Sequence, residues 1–134
     1  MNTGLILVTH PGVGRALLDT AEKILKRPVE NATCIEVDLD SDPEERTAAT
    51  REKMRQLDSG QGVLLLNDLY GATPFNVALE AAEQRQYVLT GVNLCMLLRA
   101  INYQAHPLDE LANIAREGGQ KGLCFAATQD EAQP

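Results

Sequence analysis

Gly4-Leu5-Ile6-Leu7-Val8-Thr9 is almost wholly apolar and runs straight into His10-Pro11-Gly12-Val13-Gly14. A run this short and this apolar reads as a strand covered on both faces, the pattern of parallel strands held between helical layers. In open α/β sheets, ligand chemistry gathers beyond the carboxyl ends of such strands. The sequence therefore sets an imidazole where a reactive group is useful. Gly12 and Gly14 also suit a tight strand-to-helix turn without any ligand.

Working outward, Leu17, Leu18, Ala21, Ile24 and Leu25 recur at helical spacing, which predicts a helix over about residues 15–26, closed by Pro28 and Asn31. Residues 33–38 alternate in polarity and read as a second strand nearer an edge. Asp42-Pro43-Glu44-Glu45 places an N-cap, a proline and two acids at the start of a helix that runs to about residue 57. Val63-Leu64-Leu65-Leu66 is a third, fully buried strand ending at Asn67-Asp68. Thr73 is expected to cap a helix opened by Pro74 and running to about residue 84. A fourth strand is expected over residues 87–91 and an apolar helix over 94–103. A last helix should run from about His106-Pro107 to residue 117, where Gly118-Gly119 breaks it. Leu123-Cys124-Phe125-Ala126 then reads as a final strand.

This alternation calls for a doubly wound α/β fold. Short right-handed crossovers favour a flavodoxin-like, mainly parallel five-stranded sheet of order 2-1-3-4-5. Its switch point lies between the first and third strands, whose ends carry His10 and Asp68.

The 134 residues suit one domain, taken as residues 1–126, followed by a polar tail at 127–134 that reads as disordered. Hydrophobic residues at 44% and charged residues at 23% are ordinary for a soluble globular chain. A net charge of −7 and a pI near 4.7 weigh against a nucleic-acid partner. The opening apolar run is far too short to cross a bilayer and has no basic region before it. No membrane insertion is expected, and the expected compartment is cytoplasmic. Cys34, Cys95 and Cys124 lack ligand-like spacing, so no metal is expected; Cys34 and Cys95, set among apolar residues, read as small buried hydrophobes. His106 reads as structural.

An imidazole beside a carboxylate suits a general base, a metal ligand or a covalent nucleophile. The serines, Ser41 and Ser59, lie away from strand ends, and no cysteine sits in the crevice loops, so a triad is disfavoured. A metal would want more ligands. Attack by the ring on phosphorus needs only a neutral nitrogen, an oriented ring and N–H groups for the phosphoryl oxygens. Gly12 and Gly14 before one helix, and Gly71-Ala72-Thr73 before another, offer such N–H groups. A receiver domain would need an acidic pair where Thr9-His10 stands. A flavin or nucleotide module would want more aromatic residues than Tyr70 supplies.

Asp68-Leu69-Tyr70-Gly71-Ala72-Thr73-Pro74-Phe75-Asn76, with the strand-His-Gly opening, resembles the IIA domain of the mannose family of the bacterial sugar phosphotransferase system. Gly91-Val92-Asn93-Leu94-Cys95-Met96-Leu97 is similar to that family's Gly-Val-Asn-x-Pro-Met segment, and the likeness spans about residues 4–126. The resemblance implies a phosphotransferase that works without a cofactor. His10 would accept a phosphoryl group from phospho-HPr, Asp68 would orient the ring, and Thr73 would help hold the group. The acceptor would be a IIB component or a regulatory target. The resemblance also implies a homodimer in which the last strand, about residues 121–126, forms an antiparallel edge exchanged between subunits. Pro11 stands where the family more often has His-Gly directly, and Cys95 replaces the usual proline. The sequence ends without a IIB-like extension, so a separate acceptor or a regulatory role is expected. The alternatives are the IIA-like domain of a dihydroxyacetone kinase system and a non-enzymatic flavodoxin-like sensor.

Overall fold

The computed structural model describes residues 2–127. It runs β1 (Gly4–Thr9), α1 (Val13–Leu25), β2 (Ala32–Glu36), α2 (Pro43–Leu57), β3 (Val63–Asn67) and α3 (Thr73–Ala81). A single 3₁₀ turn, Arg85–Tyr87, leads into β4 (Val88–Thr90), and α4 (Leu94–Asn102) and α5 (Leu108–Lys121) follow. The strands form one sheet in the order β2-β1-β3-β4, and every pairing is parallel.

Successive side chains on a strand point to opposite faces, so β1 and β3 each feed two cores. Leu5, Leu7, Leu64 and Leu66 pack with Leu18 and Ala21 of α1, Leu97 and Ile101 of α4, and Leu111 of α5. Ile6, Val8, Val63 and Leu65 pack with Val77 and Ala78 of α3 and with Met54 and Leu57 of α2. Each fully buried leucine contributes about 2 kcal/mol of apolar transfer, and both faces of the central strands collect it. That is why these strands are continuous apolar runs. Pro43 opens α2 behind Asp42, whose side chain accepts the Glu44 N–H at 3.0 Å. α1 ends where Lys26 turns left-handed at φ 58°.

Three expectations are corrected. Gly118 and Gly119 do not break α5; both are buried, and the helix continues to Lys121. A Cβ on Gly118 would stand 2.6 Å from Arg99 Cβ, and one on Gly119 would stand 3.0 Å from Met96 Cε. The glycines let α5 lie close against α4, and the Asn93 side chain fastens that seam by donating to the Gly119 carbonyl at 3.1 Å.

The fifth strand is also absent among the described residues, leaving four strands with β4 at the edge. α5 takes up residues 118–121 and residues 126–127 are helical again, so residues 122–125 between them form no strand. Leu123 and Phe125 of that segment stand 85% and 82% exposed instead of alternating against a neighbour. The expected tail at 127–134 lies, from residue 128 on, outside the described residues. Cys95, finally, is exposed, since the buried stripe of α4 is Met96, Leu97, Ala100 and Ile101.

Candidate functional site

The switch point between β1 and β3 joins residues 58 positions apart. Asp68 Oδ2 lies 2.8 Å from His10 Nδ1 and also accepts the His10 backbone N–H at 3.0 Å. An ionised carboxylate only accepts, so in the neutral ring Nδ1 carries the proton and Nε2 the lone pair. The His10 side chain is 32% exposed and that of Asp68 12%. The ring therefore meets solvent while its anchor is largely sheltered. Two donors on one oxygen fix both the ring and its backbone.

The strand ends are themselves clasped. Asn67, fully buried at the end of β3, donates Nδ2–H to the Val8 carbonyl at 2.9 Å and accepts the Thr90 hydroxyl at 2.8 Å. Its carbonyl accepts the Val92 N–H at 2.9 Å, and Asn93 then caps α4 by accepting the Met96 N–H at 2.8 Å. This amide bridges β1, β3 and β4 immediately before Asp68. Thr9 acts similarly before His10: its hydroxyl donates to the His10 carbonyl and accepts the Gly14 N–H, both at 2.9 Å. A polar residue ending an apolar strand was the available signal for both Asn67 and Thr9.

The flanking loops differ in their donors. Gly12 and Gly71 both hold φ +85°, an angle that a side chain would strain. In the β1–α1 loop Pro11 has no N–H, the Gly12 N–H donates to Glu36 Oε2 at 2.9 Å, and the Val13 N–H donates to the His10 carbonyl at 3.2 Å. In the β3–α3 loop the Ala72 N–H donates to the Leu69 carbonyl at 3.3 Å, whereas the Gly71 and Thr73 N–H groups engage no acceptor among the described residues. Ala72, not Thr73, is the N-cap of α3; Thr73 is already the first helical residue, so its hydroxyl is not used as a cap. Thr73 lines the groove between α2 and α3. His10 and Asp68 are thus in contact, Gly12, Gly71 and Ala72 shape the two loops, and Thr73 opens the helix beyond.

Apolar side chains border the pair. Leu69 and Tyr70 are exposed, with Tyr70 leaning on Phe75 at a ring-centroid distance of 4.7 Å, and Val13 is exposed on the other loop. His106 lies apart at the start of α5, 3.2 Å from Glu110 Oε2. Burial pushes the Cys34 thiol up to about 11, which keeps it protonated and unreactive near neutrality. Among the described residues, no helix is long and apolar enough to cross a membrane.

The family described as PTS system fructose IIA component matches residues 4–115. The mannose-specific EIIAB component of the phosphotransferase system of Escherichia coli K12 is 30% identical over 127 residues, covering 92% of this chain. The chain spans 39% of the length of that relative. A mannose/sorbose-specific IIA subunit of the phosphotransferase system from Enterococcus faecalis superimposes with a TM-score of 0.79 at 26% identity, covering 93% of this chain and 95% of that one. A phosphotransferase system component EIIA from Streptococcus agalactiae shares the fold with a TM-score of 0.80 at 24% identity, covering 94% and 98% of the two chains.

Proposed function

This chain belongs to the PTS system fructose IIA component family, whose members are phosphocarriers of sugar phosphotransferase systems, and we propose that it carries its phosphoryl group on His10. The observation that carries the reading is the double hold of Asp68 Oδ2 on the ring Nδ1–H and the backbone N–H of His10. That hold orients the ring and makes Nε2 the nitrogen that attacks.

In the proposed step, Nε2 attacks the phosphorus of a phosphohistidine donor in line. The new N–P bond forms as the donor's P–N bond breaks, and the electron pair of the broken bond stays on the donor imidazole. The Nδ1 proton stays where it is, and Asp68 stabilises the positive charge that the ring gains. The unengaged N–H groups of Gly71 and Thr73, with the Thr73 hydroxyl, receive phosphoryl oxygens; Gly12 and Ala72 complete the loops around them. No metal or cofactor takes part, because the donor's P–N bond supplies the driving force. The donor is phospho-HPr and the acceptor a IIB component or a regulatory target, both reached in the cytoplasm. Val13, Leu69 and Tyr70 give those proteins apolar contact beside the ring.

The family match favours this reading over a dihydroxyacetone kinase system or a sensor module. The exposed Leu123 and Phe125 and the open edge of β4 support a homodimer, with Leu123 and Phe125 covered by the second copy. Sedimentation of the wild type as a dimer and of Phe125→Asp as a monomer is the expected result; a wild-type monomer would remove the dimer from the proposal.

Labelling with phosphoenolpyruvate, the general phosphotransfer enzyme and HPr tests the central claim. Acid-labile, base-stable label is expected on the wild type and none on a folded His10→Ala. An unlabelled wild type beside a working positive control overturns the reading.

A further inference from the structure

Glu36 ends β2, in register with Thr9 of β1, and its carboxylate crosses to the β1–α1 loop to accept the Gly12 N–H at 2.9 Å. Gly12 is the N-cap of α1 and has no side chain with which to cap it. The carboxylate therefore sits where a helix N-terminus draws an anion. It does so two residues from His10, in a loop where Pro11 has no N–H and the Val13 and Gly14 N–H groups are already engaged. The donor that this loop could turn toward a phosphoryl group is held by an internal anion.

We propose that Glu36 is a positioning residue that holds the Gly12 N–H while His10 is free and yields it when His10 is phosphorylated, thereby setting how tightly His10 keeps its phosphoryl group. The inference rests on the phosphocarrier reading. Two effects act in the same direction. The charge-assisted hydrogen bond between Glu36 and Gly12 stabilises the free protein and is lost when a phosphoryl oxygen takes the donor. The displaced carboxylate then stands near a dianion and raises the free energy of the phosphorylated form. Both favour passing the group onward. The exchange needs only a side-chain rotation at the end of an edge strand. It breaks one hydrogen bond to Gly12 and makes another, and no covalent bond changes beyond the transfer itself.

Glu36→Gln keeps a neutral acceptor of the same length and removes the charge. The experiment sets wild type and Glu36→Gln separately against a fixed ratio of phospho-HPr to HPr and measures the equilibrium ratio of labelled to free protein. That ratio is expected to rise about three- to tenfold in the variant. The gap should narrow as salt is raised, because screening weakens a charge effect, whereas a purely structural role of Glu36 would leave it unchanged. In the wild type, the Gly12 amide resonance should shift on phosphorylation together with the Glu36 side-chain carboxyl signal.

A labelled wild type with an equal or lower ratio in Glu36→Gln, or with a Glu36 carboxyl signal that phosphorylation leaves in place, overturns the inference and leaves the carrier reading standing. An unlabelled wild type overturns both.

Discussion

Gly12 and Gly71 flank the crevice, and Gly118 and Gly119 lie in the seam between α4 and α5. A Cβ on either crevice glycine would meet nothing within 4 Å, yet both hold φ +85°. The seam glycines hold helical angles, and a Cβ there would run into Arg99 or Met96. Glycine supplies a backbone angle in the crevice loops and the absence of a side chain in the helix seam. In sequence the two pairs look alike, and both suggest a chain break. The difference also separates proposed function from stability: the crevice loops frame the proposed reacting groups, while the seam fixes how closely a helix packs on its neighbour.

Substitutions at the two places should therefore separate transfer from stability, and the widest separation is expected at the crevice. Asp68→Asn keeps the shape but removes the charge that holds Nδ1–H, and should slow phosphoryl transfer to His10 about a hundredfold. Its melting temperature should stay within about 2 °C of wild type; a large drop would make Asp68 a structural residue first and undo the contrast. At the seam, Gly118→Ala should lower stability by about 2 kcal/mol, read as the midpoint of urea unfolding, with unchanged transfer per folded molecule. A stable Gly118→Ala would mean that α5 can retreat from Arg99 at little cost. Gly12→Ala sits between the two, with a left-handed penalty of about 1 kcal/mol and a modest loss of transfer rate as the loop beside His10 shifts.

The smallest effect comes from Cys34, whose burial raises its thiol to about 11. The native state holds that proton more tightly than the unfolded chain, so its contribution is fully present below the ordinary thiol value. It is lost as pH climbs through about 9 to 11. Cys34→Ala should flatten stability over that alkaline window. At pH 8, iodoacetamide should modify Cys95 well before Cys34; equal rates would show that the Cys34 pocket opens readily.

Much of this was legible because the signals were local or followed from topology. β1 and β3 are apolar runs that can only be buried on both faces, and Asp42-Pro43 announces the start of α2. The convergence of His10 with Asp68 follows once β1 and β3 are neighbours, since the ends of adjacent parallel strands share one crevice. What stayed hidden depended on partners. Gly118 and Gly119 read as breakers because helix propensity takes no account of α4 lying against them. Leu123-Cys124-Phe125-Ala126 has the composition of a strand, but a strand also needs a neighbour to pair with, and sequence cannot say whether one is within reach. Cys95 follows an apolar neighbourhood in sequence but falls off the buried stripe of α4. The reach of Glu36 to Gly12 carries no sequence signature, since it needs β2 beside β1 and a side chain of that length at that register.

The clasp made by Asn67 has a kinetic consequence. The clasp and the His10–Asp68 pair both require β1 and β3 to be in their native register, with Val8 opposite Asn67. A slip of one residue would turn the paired side chains to opposite faces of the sheet. β1 is made first and can pair with β2, but its match to β3 waits until β3 has emerged and a long loop has closed, a step that is slow for parallel sheets. A chain caught earlier, or paired out of register, has its imidazole but no carboxylate to orient it. The proposed uptake of phosphate on His10 would thus double as a readout of correct folding. In a refolding experiment, labelling should appear with the final slow phase and lag behind the recovery of helical signal.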